Sequence, residues 1–294
     1  MNCLRTQLKH DRPVRRASLA TTLLIVAVVL ASVACASIEE YDKPLAVAHR
    51  GGAGVAPENT LTAFLSALTY GPPIALELDI HMSSDGTLMV IHDALLHRTT
   101  GLSGAVSDFD SSFLQTVDAA IHFPDIEFEP IPTLKDVLEQ IETLAHYPVQ
   151  YHLDIKLAAD GSRYPQIEEQ LIQILHEYDL IDRSTVISFD FPTLLTIGEL
   201  EPRLARGALL GTAYMTRAIP RGSRWIADEM YRLGVDYVGV YYTFLTNNLH
   251  ARLREKDLSV GAWTVNSARN IRRFVGMGVD FITSDYPELL YTHL

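Results

Sequence analysis

Residues 149–200 read VQYHLDIKLAADGSRYPQIEEQLIQILHEYDLIDRSTVISFDFPTLLTIGEL. A short apolar, partly β-branched run over 149–155 gives way to a turn carrying Gly161 and Pro165, and a segment of helical period then runs over 166–178. A second apolar run at 185–189 and a second helical segment at 192–200 repeat the unit. Strand–helix–strand–helix at this spacing predicts parallel strands joined by helical crossovers, an α/β fold. Outward from this stretch the alternation continues, with strands expected at 45–48, 74–80, 88–91, 206–210, 237–240, 260–265 and 281–283. Helices are expected at 61–70, 134–146, 225–233, 248–256 and 268–277. Nine strands are one too many for an eight-stranded barrel. The link from His81 to Thr87 carries Ser83-Ser84-Asp85-Gly86, a turn rather than a helix, so one unit is irregular. The pattern fits a (β/α)8 barrel or an open, doubly wound sheet. Between His97 and Pro132 it breaks into a loop-rich stretch with Gly101, Gly104, Pro124 and Pro130, the kind of excursion that forms a lid or cleft wall.

The chain has 294 residues, 48% of them hydrophobic, enough for one large core. Residues 1–44 stand apart from the domain at 45–294. Arg5, Lys9, Arg12, Arg15 and Arg16 precede an uncharged run from Ala17 to Ile38, which reads as a membrane-targeting segment. Three readings compete: a signal peptide cut near Ala34 and Ala36, a lipoprotein signal that retains Cys35, and an uncleaved anchor. In each, the basic flank stays cytoplasmic and the domain goes outside, secreted or tethered in the cell envelope. The two cysteines, Cys3 and Cys35, both lie in this segment, so the domain forms no disulfide. Beyond residue 35 there are 19 basic and 35 acidic side chains, a net charge of −16 that argues against a nucleic-acid partner. An anionic substrate then needs a local metal or basic cluster.

Ionisable side chains gather at the ends of the expected strands: His49 and Arg50 after the first, Glu77 and Asp79 in the second, His92 and Asp93 after the third, Asp154 and Lys156 in the fourth. In a barrel the C-terminal strand ends share one face, and strand alternation puts Glu77 with Asp79 and Asp154 with Lys156. Three carboxylates together repel one another unless a cation sits among them, and an all-oxygen set suits one Mg²⁺ or Ca²⁺. His49 and His92 supply groups that titrate near neutrality, one to remove a proton and one to donate it. Arg50 and Lys156 add the fixed positive charge a phosphate requires. The combination describes phosphoryl chemistry on a small-molecule phosphodiester. Taken singly, each residue has a structural explanation, a rim salt bridge or a turn histidine, and their co-occurrence at successive strand ends carries the reading.

The segments AHRGGAGVAPENTLTAF (48–64), ELDIHMSSDGTLMVIHD (77–93), LHRTTGLSGAV (96–106), IPTLKDVL (131–138), WTVN (263–266) and GVDFITSDYPELL (278–290) resemble the glycerophosphodiester phosphodiesterases. The resemblance implies a TIM (β/α)8 barrel with a loop-rich insertion after the third strand. It further implies His49 and His92 as an acid–base pair, Glu77 and Asp79 as metal ligands, Arg50 and Lys156 against the phosphate, and Asn59 and Trp263 lining or supporting the site. In such enzymes a glycerol hydroxyl attacks phosphorus, and the cyclic phosphate opens to release an alcohol and glycerol 3-phosphate. This chain departs from the usual Glu-x-Lys of the fourth strand, having Asp154-Ile155-Lys156, with His152 on the same face. Asp285, before Tyr286-Pro287, is expected to cap the closing helix. Two other functions compete. One is a membrane-surface lysophospholipase D-like enzyme, for which Phe109, Phe113, Phe123 and Phe128 of the insertion offer motive. The other is a non-catalytic phosphodiester-binding envelope protein, against which the two histidines argue.

Overall fold

The structure is a computed structural model that describes residues 43–72 and 74–294. Residues 1–42, with both cysteines and the expected targeting segment, lie outside the described residues. Among those described, no helix is long and apolar enough to cross a membrane.

The apolar runs form strands β1 (Leu45–Ala48), β2 (Ile74–Met82), β3 (Leu88–Val90), β4 (Gln150–Ile155), β5 (Ser184–Ser188), β6 (Ala205–Leu210), β7 (Tyr237–Tyr241), β8 (Ser259–Trp263) and β9 (Phe281–Ser284). All are parallel except β3. The sheet closes because β1 pairs with both β2 and β9, Val47 standing opposite Ala75 on one side and Thr283 on the other. Closure excludes the doubly wound alternative and gives an eight-stranded TIM barrel. The ninth strand is β3, which folds back antiparallel on the end of β2 through the 83–86 turn, Met82 opposite Leu88. It lies outside the ring, so the irregular unit is a hairpin added to a barrel strand.

The described helices are α1 (Leu61–Leu68), α2 (His97–Thr100), α3 (Ser111–Leu114), α4 (Leu134–Leu144), α5 (Ile167–Glu177), α6 (Phe191–Leu200), α7 (Thr212–Ala218), α8 (Ser223–Leu233), α9 (Asn247–Arg254), α10 (Ala268–Met277) and α11 (Pro287–His293). Their starts follow from the sequence. Thr133 accepts from the Asp136 amide at 3.1 Å while its own amide donates to Asp136 at 3.2 Å, and Thr60, Thr246 and Ser267 cap α1, α9 and α10 through their hydroxyls. The main core lies between the barrel and its helices, where Phe64, Leu76, Leu138, Leu171, Leu194, Val238 and Phe274 are buried. The 97–132 excursion is less open than its composition suggests. Leu96, Val106, Leu114 and Ile131 pack on Met89 and Ile91 as a second core, anchoring it to β3.

Candidate active site

The turn after β1 carries His49 and Arg50 and is tight. Gly51 has φ +78°, and a Cβ there would stand 2.8 Å from Phe64, so only glycine fits. Arg50 (φ 54°) and Asn59 (φ 59°) also hold left-handed conformations, an expense that persists where surrounding contacts fix the backbone. Those contacts are with the carboxylates. The Arg50 amide donates to Glu77 Oε2 at 2.8 Å. Asn59 grips Asp79 twice, Nδ2 donating to Oδ2 at 2.7 Å and Oδ1 accepting from the Asp79 amide at 3.2 Å.

Asp79 stands opposite Asp154 in the β2–β4 register, and Glu77 opposite His152 one step deeper. Glu77, Asp79 and Asp154 are all buried, and one oxygen from each lies within 4.8 Å of the others. Lys156 Nζ is 2.8 Å from Asp79 Oδ1 and also contacts Asp154 Oδ2. The Arg50 guanidinium is shared between Glu58, 3.0 Å away, and Asp79, 3.3 Å away. Both expected phosphate cations are therefore already tied to carboxylates.

The electrostatics show a cluster short of positive charge. Burial, compounded by Asp79, pushes Glu77 well above the usual carboxylate range. Burial likewise raises Asp154, to about 6, with Asp79 adding to it and Lys156 opposing. For Asp79 burial pulls upward too, but Lys156, His92 and Arg50 outweigh it and hold the group far down. Burial would depress Lys156, yet Asp154, Asp79 and Glu77 together raise it. Asp79 Oδ1 and Asp154 Oδ1 are buried and accept no hydrogen bond of acceptable geometry. Two such oxygens in a cluster of three converging carboxylates fit a hard divalent cation. The methylene lost in Asp154 does not take its carboxylate out of the cluster.

Each histidine has a carboxylate behind it. His49 Nδ1 lies 2.5 Å from Asp285 Oδ1, which leaves Nε2 facing Glu77 at 4.0 Å. His92 Nδ1 lies 2.5 Å from Asp93 Oδ1, and Asp93 is itself held by Arg98 Nε at 2.5 Å. Arg98 also makes two bonds to Glu58, so Glu58 joins the Arg50 turn to the segment beyond His92. Burial lowers His92, Asp79 opposing. Its backbone is fixed from below by His81, whose ring bridges the His92 carbonyl at 3.1 Å and the Tyr164 hydroxyl at 2.8 Å. One cavity is lined by His49, Arg50, Glu77, His92, Asp154, Lys156 and Trp263. Trp263 packs edge-on against Phe189, with centroids 5.4 Å apart, and its Nε1 is buried without a partner.

One expectation is corrected. Asp285 does not cap α11: Tyr286 holds the cap position without a side-chain bond. Asp285 instead binds His49 through one oxygen and Asn266 Nδ2 through the other, at 2.5 Å. The pairing of β1 with β9 brings position 285 beside position 49, a consequence of barrel closure that local sequence does not carry. Glu58 and His81 were also missed as site residues. The strand-end rule that found Asp154 applies equally to Asp285, one residue beyond β9.

The family profile described as "Glycerophosphoryl diester phosphodiesterase family" matches residues 49–289. A glycerophosphodiester phosphodiesterase of Caldanaerobacter subterraneus is 32% identical over 249 residues, covering 84% of this chain and 96% of its own length. One from Bacillus altitudinis is 31% identical over 242 residues, covering 82% and 94%. An Oleispira antarctica phosphodiesterase, solved with the product sn-glycerol-3-phosphate, superposes with a TM-score of 0.69 at 26% identity, covering 85% of this chain and 96% of that one. A profile match over residues 49–289, most of the domain, places the chain in the glycerophosphoryl diester phosphodiesterase family, among the phosphoric diester hydrolases.

Proposed function

We propose that this chain hydrolyses glycerophosphodiesters to an alcohol and glycerol 3-phosphate, using one divalent cation, Mg²⁺ or Ca²⁺, and His49 and His92 as its acid–base pair. The observation that carries the reading is two carboxylate-backed histidines lining one cavity with Glu77 and Asp154, members of a buried cluster of three carboxylates. Glu77, Asp79 and Asp154 would hold the cation, which supplies charge compensation and Lewis-acid stabilisation at the phosphoryl group. Arg50 and Lys156 orient the phosphate beside it. Asp285 and Asp93 fix each imidazole through Nδ1, directing Nε2 to the substrate. One Nε2 takes the proton of the attacking oxygen and the other returns a proton to the departing alkoxide. Trp263 closes one wall, and Asn59 keeps Asp79 in register.

Support for the substrate class comes from the Oleispira phosphodiesterase solved with sn-glycerol-3-phosphate. The membrane-surface alternative draws less support, since Phe109 packs on the insertion's own core and stacks on Phe113 at 4.8 Å. The proposal also puts the domain outside the cytoplasm, delivered by the segment at 1–44; a Cys35→Ser change that abolishes membrane retention would identify lipidation as the tether. The deciding assay is release of glycerol 3-phosphate from glycerophosphocholine, with EDTA and with Mg²⁺ or Ca²⁺ restored. Turnover lost with EDTA and regained with either ion is the expected result, and no turnover under any condition would refute the reading.

A further inference from the structure

Both imidazoles of the cavity are backed by a carboxylate, and each carboxylate is held in turn by a third residue. Behind His92, Asp93 is held by the Arg98 guanidinium. Behind His49, the free oxygen of Asp285 is held by a neutral side chain, Asn266, in the short loop between β8 and α10. Asn266 is exposed at the rim, where water could satisfy its amide, yet both ends of that amide are bonded to the segment that carries Asp285.

Nδ2 of Asn266 donates to Asp285 Oδ2 at 2.5 Å, while Oδ1 accepts from the Asp285 amide at 3.0 Å and from the Ser284 hydroxyl at 3.1 Å. Ser284 is fully buried, and its oxygen accepts from the Tyr286 amide at 3.1 Å, which leaves its proton for Asn266. Against burial, the His49 bond and charge and the Asn266 bond hold Asp285 below its ordinary range, so its oxygens only accept. These partners fix the sense of the amide: flipped, it would set N–H against N–H and oxygen against carboxylate. The loop is itself held in place, with the Val265 amide donating to the Thr283 carbonyl at 2.8 Å and Ser267 capping α10. On the opposite side the Gly54 amide, from the turn that carries His49, donates to the Asp285 carbonyl at 2.9 Å. With its backbone fixed from two sides and Oδ2 occupied, the carboxylate has Oδ1 left for His49 Nδ1, 2.5 Å away.

We infer that Asn266 is a positioning residue for the reaction: it sets the rotation of the Asp285 carboxylate, and through it the orientation of the His49 ring and the nitrogen presented to the substrate. The inference rests on the hydrolase reading above. A carboxylate held by one hydrogen bond can still turn about its side-chain torsions, and an imidazole follows the oxygen it donates to. Two bonds, one on each oxygen, remove that freedom before substrate arrives.

The test compares the full-length parent, loaded with Mg²⁺ or Ca²⁺, with Asn266→Ala, Asn266→Asp, Asp285→Ala and the Asn266→Ala, Asp285→Ala double variant on glycerophosphocholine. Asn266→Ala is expected to lose about tenfold in kcat with KM within about twofold of the parent, as when an orienting contact is removed and binding is left intact. Asn266→Asp has the same size but sets a carboxylate oxygen against Asp285 Oδ2, so it should lose at least as much. In the Asp285→Ala background the change at 266 should cost less than about twofold, the non-additivity of residues that act as a unit. Parent-like kcat in either single variant, or the same loss with and without Asp285, would overturn the inference. A second readout needs no turnover: the low-field proton NMR resonance of the His49–Asp285 hydrogen bond, assigned by its absence in Asp285→Ala, should move upfield or vanish in Asn266→Ala. A resonance unmoved by that change would overturn the inference on its own. A parent without turnover in which the resonance still depends on Asn266 would sink the hydrolase reading alone.

Discussion

Asp285 shows how much one residue's role depends on its neighbours in space. Its carboxylate is held below its ordinary range because, against burial, the His49 hydrogen bond and charge favour the ionised form. Asp285→Ala should therefore lower kcat about 10- to 100-fold with a smaller change in KM, as removal of an orienting partner does, and Asp285→Asn should retain more activity than alanine. Steady-state kinetics on glycerophosphocholine would read both, and a purely KM effect would assign Asp285 to binding instead. The carboxylates lead to a pH expectation. With Asp154 raised to about 6 and Glu77 raised too, both must lose protons before a cation can bind. Cation affinity, read by titration calorimetry, is expected to fall by about tenfold or more between pH 7 and pH 5; an affinity flat over that range would show that these carboxylates are not the ligands.

At the scale of elements, the β2–β3 hairpin and the insertion behind it matter most. β3 carries His92 to the mouth from outside the ring, and the insertion is pinned to the barrel by Arg98 on Glu58 and by His81 under the His92 carbonyl. Glu58→Gln removes the charge that Arg50 and Arg98 share, leaving Arg50 paired with Asp79 and Arg98 with Asp93. A loss of about 1–2 kcal/mol in unfolding stability is expected, together with faster proteolytic cleavage within 97–132, measured by denaturant titration and limited digestion. An insertion as resistant as in the parent would show that its own core, Leu96, Val106, Leu114 and Ile131, suffices to hold it.

For the whole molecule, acid stability is set partly by histidines the fold keeps neutral. Burial depresses His81 and His152 to about 4 from 6.5. Between those values the unfolded chain takes up a proton the folded one refuses, so stability is full above pH 6.5 and drains as pH falls toward 4, by up to about 3 kcal/mol per histidine. His81→Gln should flatten the decline in Tm over that window; an unaltered slope would place the acid sensitivity elsewhere. A cation that binds only the folded state adds to Tm by mass action, about 2.7 kcal/mol at a hundred times its Kd. Thermal melts with EDTA and with Mg²⁺ or Ca²⁺ should differ accordingly.

The local code was enough to specify alternating strands and helices, most helix starts, and the residues Glu77, Asp79, Asp154, His49 and His92, because strand period, capping side chains and residue order along a strand are short-range properties. It also supplied the nine apolar runs without saying which eight form a ring, since β3 differs from a barrel strand only in having a turn before it in place of a crossover. Closure decided the rest. Pairing β1 with β9 brought Asp285 to His49, folding β3 back on β2 brought His92 to the carboxylates' cavity, and closing the ring packed the His152 ring against Tyr237 and Phe281. Those contacts join residues up to 236 positions apart, and no pattern within a single strand or helix encodes a distance that exists only once the sheet has met itself.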